Sequence, residues 1–176
     1  VMEDPGGSEG MAGGGWGLRY PRGPVGDKFK LDELTAADAQ LLGRVTYSGF
    51  AAVWPNINDA QGFAAKMNAM PKFVVSRTLK EATWNNSTIL TGDMPAEVAR
   101  LKQQYAGDIL VAGSCQLVQG LMQHSLIDEY RLMVFPVVLG HGKRLFPEGM
   151  DQATLQLTSL QQAAECAILV YEPRTS

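Results

Sequence analysis

The sequence predicts an α/β fold, a mixed sheet covered by helices, and three observations carry that prediction. Short apolar or β-branched runs stand between breakers, as at residues 72–76 and 109–112. Between these runs, apolar residues recur at helical spacing: Phe63, Met67 and Met70; Val98, Leu101 and Tyr105; Leu117, Val118, Leu121 and Met122. Near the end, Leu155, Leu157 and Ser159 alternate with polar residues, and residues 166–171 form another apolar run. This order places parallel crossovers first and antiparallel strands last.

Each element follows from local chemistry. Residues 1–26 hold nine of the 19 glycines together with Pro5, Pro21 and Pro24, and show no periodicity, so they read as a loop pinned by Trp16, Leu18 and Tyr20. Residues 29–34 read as a short helix. Residues 39–42 are a buried strand ending at Gly43, and residues 46–53 a helix that Pro55 ends. The Phe63 to Met70 patch is a helix stopped by Pro71, followed by strands at 72–76 and 87–90. Asp93 is placed to cap a helix with Pro95 and Glu97 in its first turn, and Gly107 is expected at its C′ position. The strand at 109–112, the helix after Gly113-Ser114 and a long strand over 127–138 read as one right-handed parallel crossover. A glycine-rich turn over 139–143 and a terminal hairpin complete the chain.

A chain of 176 residues is read as one domain, residues 1–176, with no internal repeat or linker. With 19% charged residues, a net charge of −3 and no basic block, it lacks the electrostatic footprint of a nucleic-acid or anionic-lipid binder. No apolar run approaches the roughly 18–20 residues of a membrane span, and residues 1–15 carry no secretory pattern. Cys115 and Cys166 make neither a disulfide framework nor a zinc site, so a reduced, cytoplasmic protein is expected.

Four segments could carry chemistry. Gly43, Arg44 and Thr46 follow a strand and open a helix, where free N–H groups, the dipole and a guanidinium suit a phosphate; the alternative is a surface arginine and a capping threonine. Ser76, Arg77 and Thr78 follow the next strand, and an arginine there could read a 2′-phosphate; a solvated turn explains them as well. Gly113, Ser114, Cys115 and Gln116 join a strand to a helix through one glycine, without the Gly-x-Gly-x-x-Gly fingerprint. Packing accounts for this glycine equally well, and Cys115 has no catalytic partner in view. Gly140 and Gly142 allow a tight bend that turns Lys143 and Arg144 either toward an anion or toward solvent. His124 and His141 form no metal set, and Asp128-Glu129 reads as solvated rather than as an acid/base pair.

The order Leu-Gly-Arg-x-Thr-Tyr, Val-Val-Ser-x-Thr-Leu, Ile-Leu-Val-Ala-Gly-Ser and Pro-Val-Val-Leu-Gly-x-Gly-Lys-x-Leu-Phe resembles the dihydrofolate reductase-like superfamily. More closely, it is similar to single-domain relatives of the C-terminal reductase domain of the riboflavin-biosynthesis deaminase/reductase, over residues 1–173. The resemblance implies a three-layer dihydrofolate reductase-like fold with a mixed central sheet flanked by helices. Family members open with an apolar strand and a Ser-x-Asp-Gly motif, and Val1 to Pro5 match the segment just after that motif. The expectation is therefore an N-terminally truncated domain lacking its first strand, with residues 1–26 a mobile loop beside the active site.

The resemblance also implies NADPH as cofactor. Gly43, Arg44 and Thr46 would serve the adenosine phosphate side, Ser76, Arg77 and Thr78 the 2′-phosphate, and Gly113, Ser114, Cys115 and Gln116 the pyrophosphate turn. The expected function is an NADPH-dependent reductase resembling 5-amino-6-(5-phosphoribosylamino)uracil reductase, acting on a pteridine- or pyrimidine-like small molecule. Dihydrofolate reduction and a non-catalytic nucleotide-binding or oligomeric protein are the alternatives. A homodimer through Met- and aromatic-rich edges is expected.

Overall fold

A computed structural model describes residues 1–174. The chain folds as two compact units, one of Lys30–Gly120 and one of Val1–Phe29 with the chain from Leu121 onward.

In the Lys30–Gly120 unit, four parallel strands line up in the order β3-β2-β1-β4: β1 (Ala37–Gly43), β2 (Lys72–Val75), β3 (Ser87–Leu90) and β4 (Asp108–Leu110). Leu42 pairs with Val74, and Val74 with Ile89, in continuous register. The central strand β1 is buried on both faces except at Asp38, as a parallel sheet covered on both sides requires. One face of β1 and β2 presents Leu42 and Val74 to Tyr47 of α3 (Arg44–Val53), Met67 of α4 (Phe63–Ala69), Met70 and Trp84. The other face carries Phe73, whose ring meets Tyr105 edge-on at 5.9 Å, just past α5 (Met94–Gln104). These are the three layers the sequence implies.

Local signals explain most boundaries. The Asp59 carboxylate accepts from the backbone N–H groups of Gln61, Phe63 and Ala64, and these bonds hold it below the usual carboxylate range at the start of α4. Asp93 Oδ2 accepts from Ala96 N at 3.3 Å, so it caps α5 as expected. Gly107 is not the C′ residue of that helix. The cap is Tyr105 in an extended conformation, and Gly107 N donates instead to Asp38 Oδ2 at 2.8 Å. Lys72 is fully buried. Its ammonium donates to the carbonyls of Asn68, Met70 and Asn85 and lies 4.3 Å from the Trp84 ring centroid.

In the other unit, three antiparallel strands are ordered β5-β7-β6: β5 (Tyr130–Val134), β6 (Leu155–Ala163) and β7 (Cys166–Pro173). The terminal hairpin is therefore present, closed at Ala163 and Cys166. The mixed character of the fold is shared out, parallel strands in one sheet and antiparallel strands in the other. This corrects the crossover expected from residues 109–138. β4 pairs with β1, whereas β5 pairs antiparallel with β7, so α6 (Cys115–Gln123) does not link two parallel neighbours.

The glycine-rich start is more ordered than a bare loop. It contains α1 (Trp16–Arg19), and α2 (Gly23–Ala36) begins within it and extends well beyond the short helix expected at 29–34. The buried Asp4 organises the segment: its carboxylate accepts from Glu9 N and Met11 N, and its carbonyl from Gly7 N and Gly15 N. Trp16 Nε1 donates to Glu3 O, and its ring meets Phe135 edge-on at 5.2 Å. Among the described residues no helix is long and apolar enough to cross a membrane.

Candidate functional site

The chain runs from β1 to β2 on one side and β3 beyond it, then returns to place β4 on the other side of β1. Order reverses at β1, and in open parallel sheets ligands bind at the carboxyl ends of the strands beside such a reversal. A cavity of about 400 Å³ lies there, within the Lys30–Gly120 unit. Its polar lining residues are Arg44, Ser76, Arg77, Thr78, Ser114 and Gln116. Val45, Val75, Leu90, Met94 and Leu117 supply apolar lining, and Gly43 and Gly92 also border the cavity.

The close approach of two segments builds the centre of this site. Gly43 N donates to Gly113 O at 3.2 Å. A Cβ on Gly43 would stand 2.1 Å from Ser114 Oγ and 3.1 Å from Ser114 N, so only glycine admits this contact. Gly43 has an ordinary extended conformation, φ −77° and ψ 156°, so space and not backbone freedom demands it. Gly113 differs: its φ is 144°, and a Cβ there would stand 2.9 Å from Thr46 Oγ1.

Helix starts supply the electrostatics. Gly43 caps α3 without a side-chain bond, which leaves the first-turn N–H groups beside the cavity without a side-chain acceptor. Arg44 and Arg77 are both exposed, and neither forms an ion pair among the described residues. Two guanidiniums without an ion pair among the described residues and a helix N-terminus make the lining of the cavity electropositive. Ser76 Oγ accepts from Thr78 N and Leu79 N, which shapes the turn and leaves its own proton to donate.

Of the expected site residues, the cavity gathers Gly43, Arg44, Ser76, Arg77, Thr78, Ser114 and Gln116. Thr46, Gly113 and Cys115 do not line it. Thr46 is the third residue of α3, because the helix starts at Arg44, and its hydroxyl packs under Gly113. Cys115 is buried, and its sulfur accepts from Gln119 Nε2 at 3.3 Å. Lys143 and Arg144 are not free to meet an anion: Lys143 is ion-paired with Glu3 and Arg144 with Glu148. The Lys143 bonds hold the Glu3 carboxyl below its usual range. Gly140 and Gly142 do make the expected bend, with φ of 75° and 110°. Sequence reasoning missed the contribution of Leu90, Gly92 and Met94. The signal was available, since residues 87–90 read as a strand and its carboxyl end belongs with the others.

The fold and site define an open parallel sheet with a crevice at its chain reversal lined by two arginines. The match to the RibD C-terminal domain model over residues 1–169 shows that this chain belongs to that family. It is 29% identical over 146 residues to the uncharacterized protein YwjB of Bacillus subtilis (strain 168), covering 83% of this chain and 79% of that protein. It is 29% identical over 131 residues to the uncharacterized protein YyaP of the same organism, covering 73% and 69%. In structure it resembles a putative riboflavin biosynthesis protein from Shewanella sp. PV-4, with a TM-score of 0.66 at 19% identity, covering 82% of this chain and 78% of that one. Acinetobacter baumannii RibD is similar at a TM-score of 0.64 and 17% identity, covering 86% of this chain and about half (51%) of the other.

Proposed function

We propose that the chain is an NADPH-dependent reductase whose cavity holds the adenosine-phosphate end of the cofactor. The observation that carries this reading is the pair of guanidiniums, Arg44 and Arg77, without ion pairs among the described residues and both lining a cavity of about 400 Å³. That volume lies within the range of small-molecule sites. Arg77, with the Ser76 and Thr78 hydroxyls, suits the 2′-phosphate. Arg44 and the α3 N-terminus suit a second phosphate, and Ser114 and Gln116 add polar donors. Val45, Leu90, Met94 and Leu117 offer an apolar surface for the base. When bound, NADPH supplies a hydride; the residues named here bind and orient it. Membership in the RibD C-terminal domain family supports a reaction resembling reduction of 5-amino-6-(5-phosphoribosylamino)uracil, on a pyrimidine-like small molecule.

Titration of the protein with NADPH and NADH, followed by nucleotide fluorescence, tests the reading. Hydrogen bonds to a charged group contribute about 1.5–3 kcal/mol. Arg77→Ala should therefore weaken NADPH binding by about 10- to 150-fold and NADH binding by less than threefold. Equal losses for both nucleotides would refute the 2′-phosphate role. Reduction of the aminouracil against dihydrofolate, with NADPH as donor, then separates the two reductase reactions.

A further inference from the structure

A carboxylate stands at the border of the cavity, and phosphate binding has no use for it. Leu90 ends β3, Gly92 follows, and Met94 opens α5; all three border the cavity. Glu97 lies one turn beyond Met94 in the same helix. A Cβ on Gly92 would stand 2.8 Å from Glu97 Oε1, 3.4 Å from its Cγ and 3.5 Å from its Cδ. The glutamate therefore fills the place that a side chain at position 92 would take. Gly92 has no positive φ, so it is space that glycine provides here.

Only half of this carboxylate is committed. Oε2 forms an ion pair with Arg100, three residues further along α5, and this fixes the orientation of the group. Oε1 has no hydrogen-bond partner among the described residues, and the side chain is 25% exposed. An ionised carboxylate only accepts hydrogen bonds, so it repels a phosphate and suits a neutral N–H or O–H donor. The phosphates of a nucleotide are suited to Arg44 and Arg77, whereas Leu90 and Met94 offer the apolar surface a base needs. A base lying on those two side chains brings its polar edge toward Gly92 and Glu97. In adenine joined to ribose, the 6-amino group is the base's one hydrogen-bond donor.

We propose that Glu97 selects adenine as the base of the cofactor, its Oε1 accepting from the 6-amino group. This rests on the reductase reading above, since it takes the ligand to be NADPH. A purine with a 6-oxo group would present an acceptor at the same place, and two oxygens would face each other with no proton between them. A buried donor or acceptor left unmatched in this way is a strong source of discrimination. Glutamine at position 97 keeps the shape of the side chain and adds an N–H₂ donor, so it can meet either base.

Titration with NADPH and with its 6-oxo analogue, reduced nicotinamide hypoxanthine dinucleotide phosphate, followed by nucleotide fluorescence, tests this. The wild-type protein should bind NADPH at least about tenfold more tightly than the analogue, and Glu97→Gln should bring the two within about threefold. Gly92→Ala keeps Glu97 but displaces its carboxylate, so it too should reduce the preference. A glutamate with a structural role alone would weaken both nucleotides alike and leave their ratio unchanged. Equal affinities in the wild-type protein, or a Glu97→Gln variant that keeps the full preference, would overturn the role of Glu97 and leave the reductase reading standing. Binding of neither nucleotide would overturn both.

Discussion

Replacing Gly43 by alanine probes the contact on which the cavity is built. The backbone of Gly43 suits alanine, so the penalty is steric. The new Cβ would stand 2.1 Å from Ser114 Oγ, 3.0 Å from its Cβ and 3.1 Å from its backbone N. The hydroxyl can rotate away, but the other two atoms belong to the turn that leads into α6, so β1 and that turn must separate by a few tenths of an ångström. Overpacking of this kind costs about 1–3 kcal/mol, offset by roughly 0.5 kcal/mol from the lower entropy of the unfolded chain. A net loss of about 1–2 kcal/mol corresponds to a fall in Tm of roughly 2–8 °C for a chain of this size. Ser114→Gly removes two of the three clashing atoms, so the double variant should recover at least about 0.5 kcal/mol over the sum of the single effects. Thermal and urea unfolding of the four proteins measures this cycle. A neutral Gly43→Ala variant, or strict additivity, would refute the close-packing argument.

Three further outcomes are expected from the structure. Burial pulls the Lys72 ammonium down to about 8 from 10.5. Between those values the unfolded chain binds the extra proton, so stability should rise with pH across the window. The rise should be at most about 3 kcal/mol, and the wild-type minus Lys72→Met difference in urea unfolding at pH 8 and 10 isolates it; a flat difference would count against it. Backbone hydrogen bonds from Glu9 hold the Asp4 carboxyl below its usual range. Its stabilising effect is present above pH 4 and lost as pH falls through the lowered value, so Asp4→Asn should flatten the acid limb of the stability profile. Asp93→Ala should destabilise the protein by about 1 kcal/mol through loss of the α5 cap, read by the urea midpoint.

The legible parts of the fold were those with a local chemical mark. Residues 87–90 form β3 as read, and the Asp93 cap lies where its side chain announces it. The start of α3 was misplaced by two residues because Gly43 caps it by conformation alone. α2 was underestimated because its first turn is Gly-Pro-Val-Gly and its apolar residues form no single stripe. The partner of β5 could not be read at all, since which strand it joins is a long-range choice that residues 127–138 do not encode locally. In the site, the arginines were legible because each follows a strand end. The contribution of Leu90, Gly92 and Met94 was marked only by the place of Leu90 at a strand end, because nothing in those residues signals affinity for a charged ligand.

The irregularity at Thr158, which lies outside the pairing of β6 with β7, has a consequence for how the length of β6 can change in evolution. Faces of a sheet are assigned by counting residues in twos, and Thr158 is the one residue of β6 that the count passes over. Deleting that single codon would leave the composition of the strand almost unchanged. It would straighten the strand and leave Leu157 opposite Tyr171 and Leu155 opposite Pro173, on the side each occupies now. The strand can thus take up or lose one residue at this point while the residues on either side keep their faces and their partners in β7.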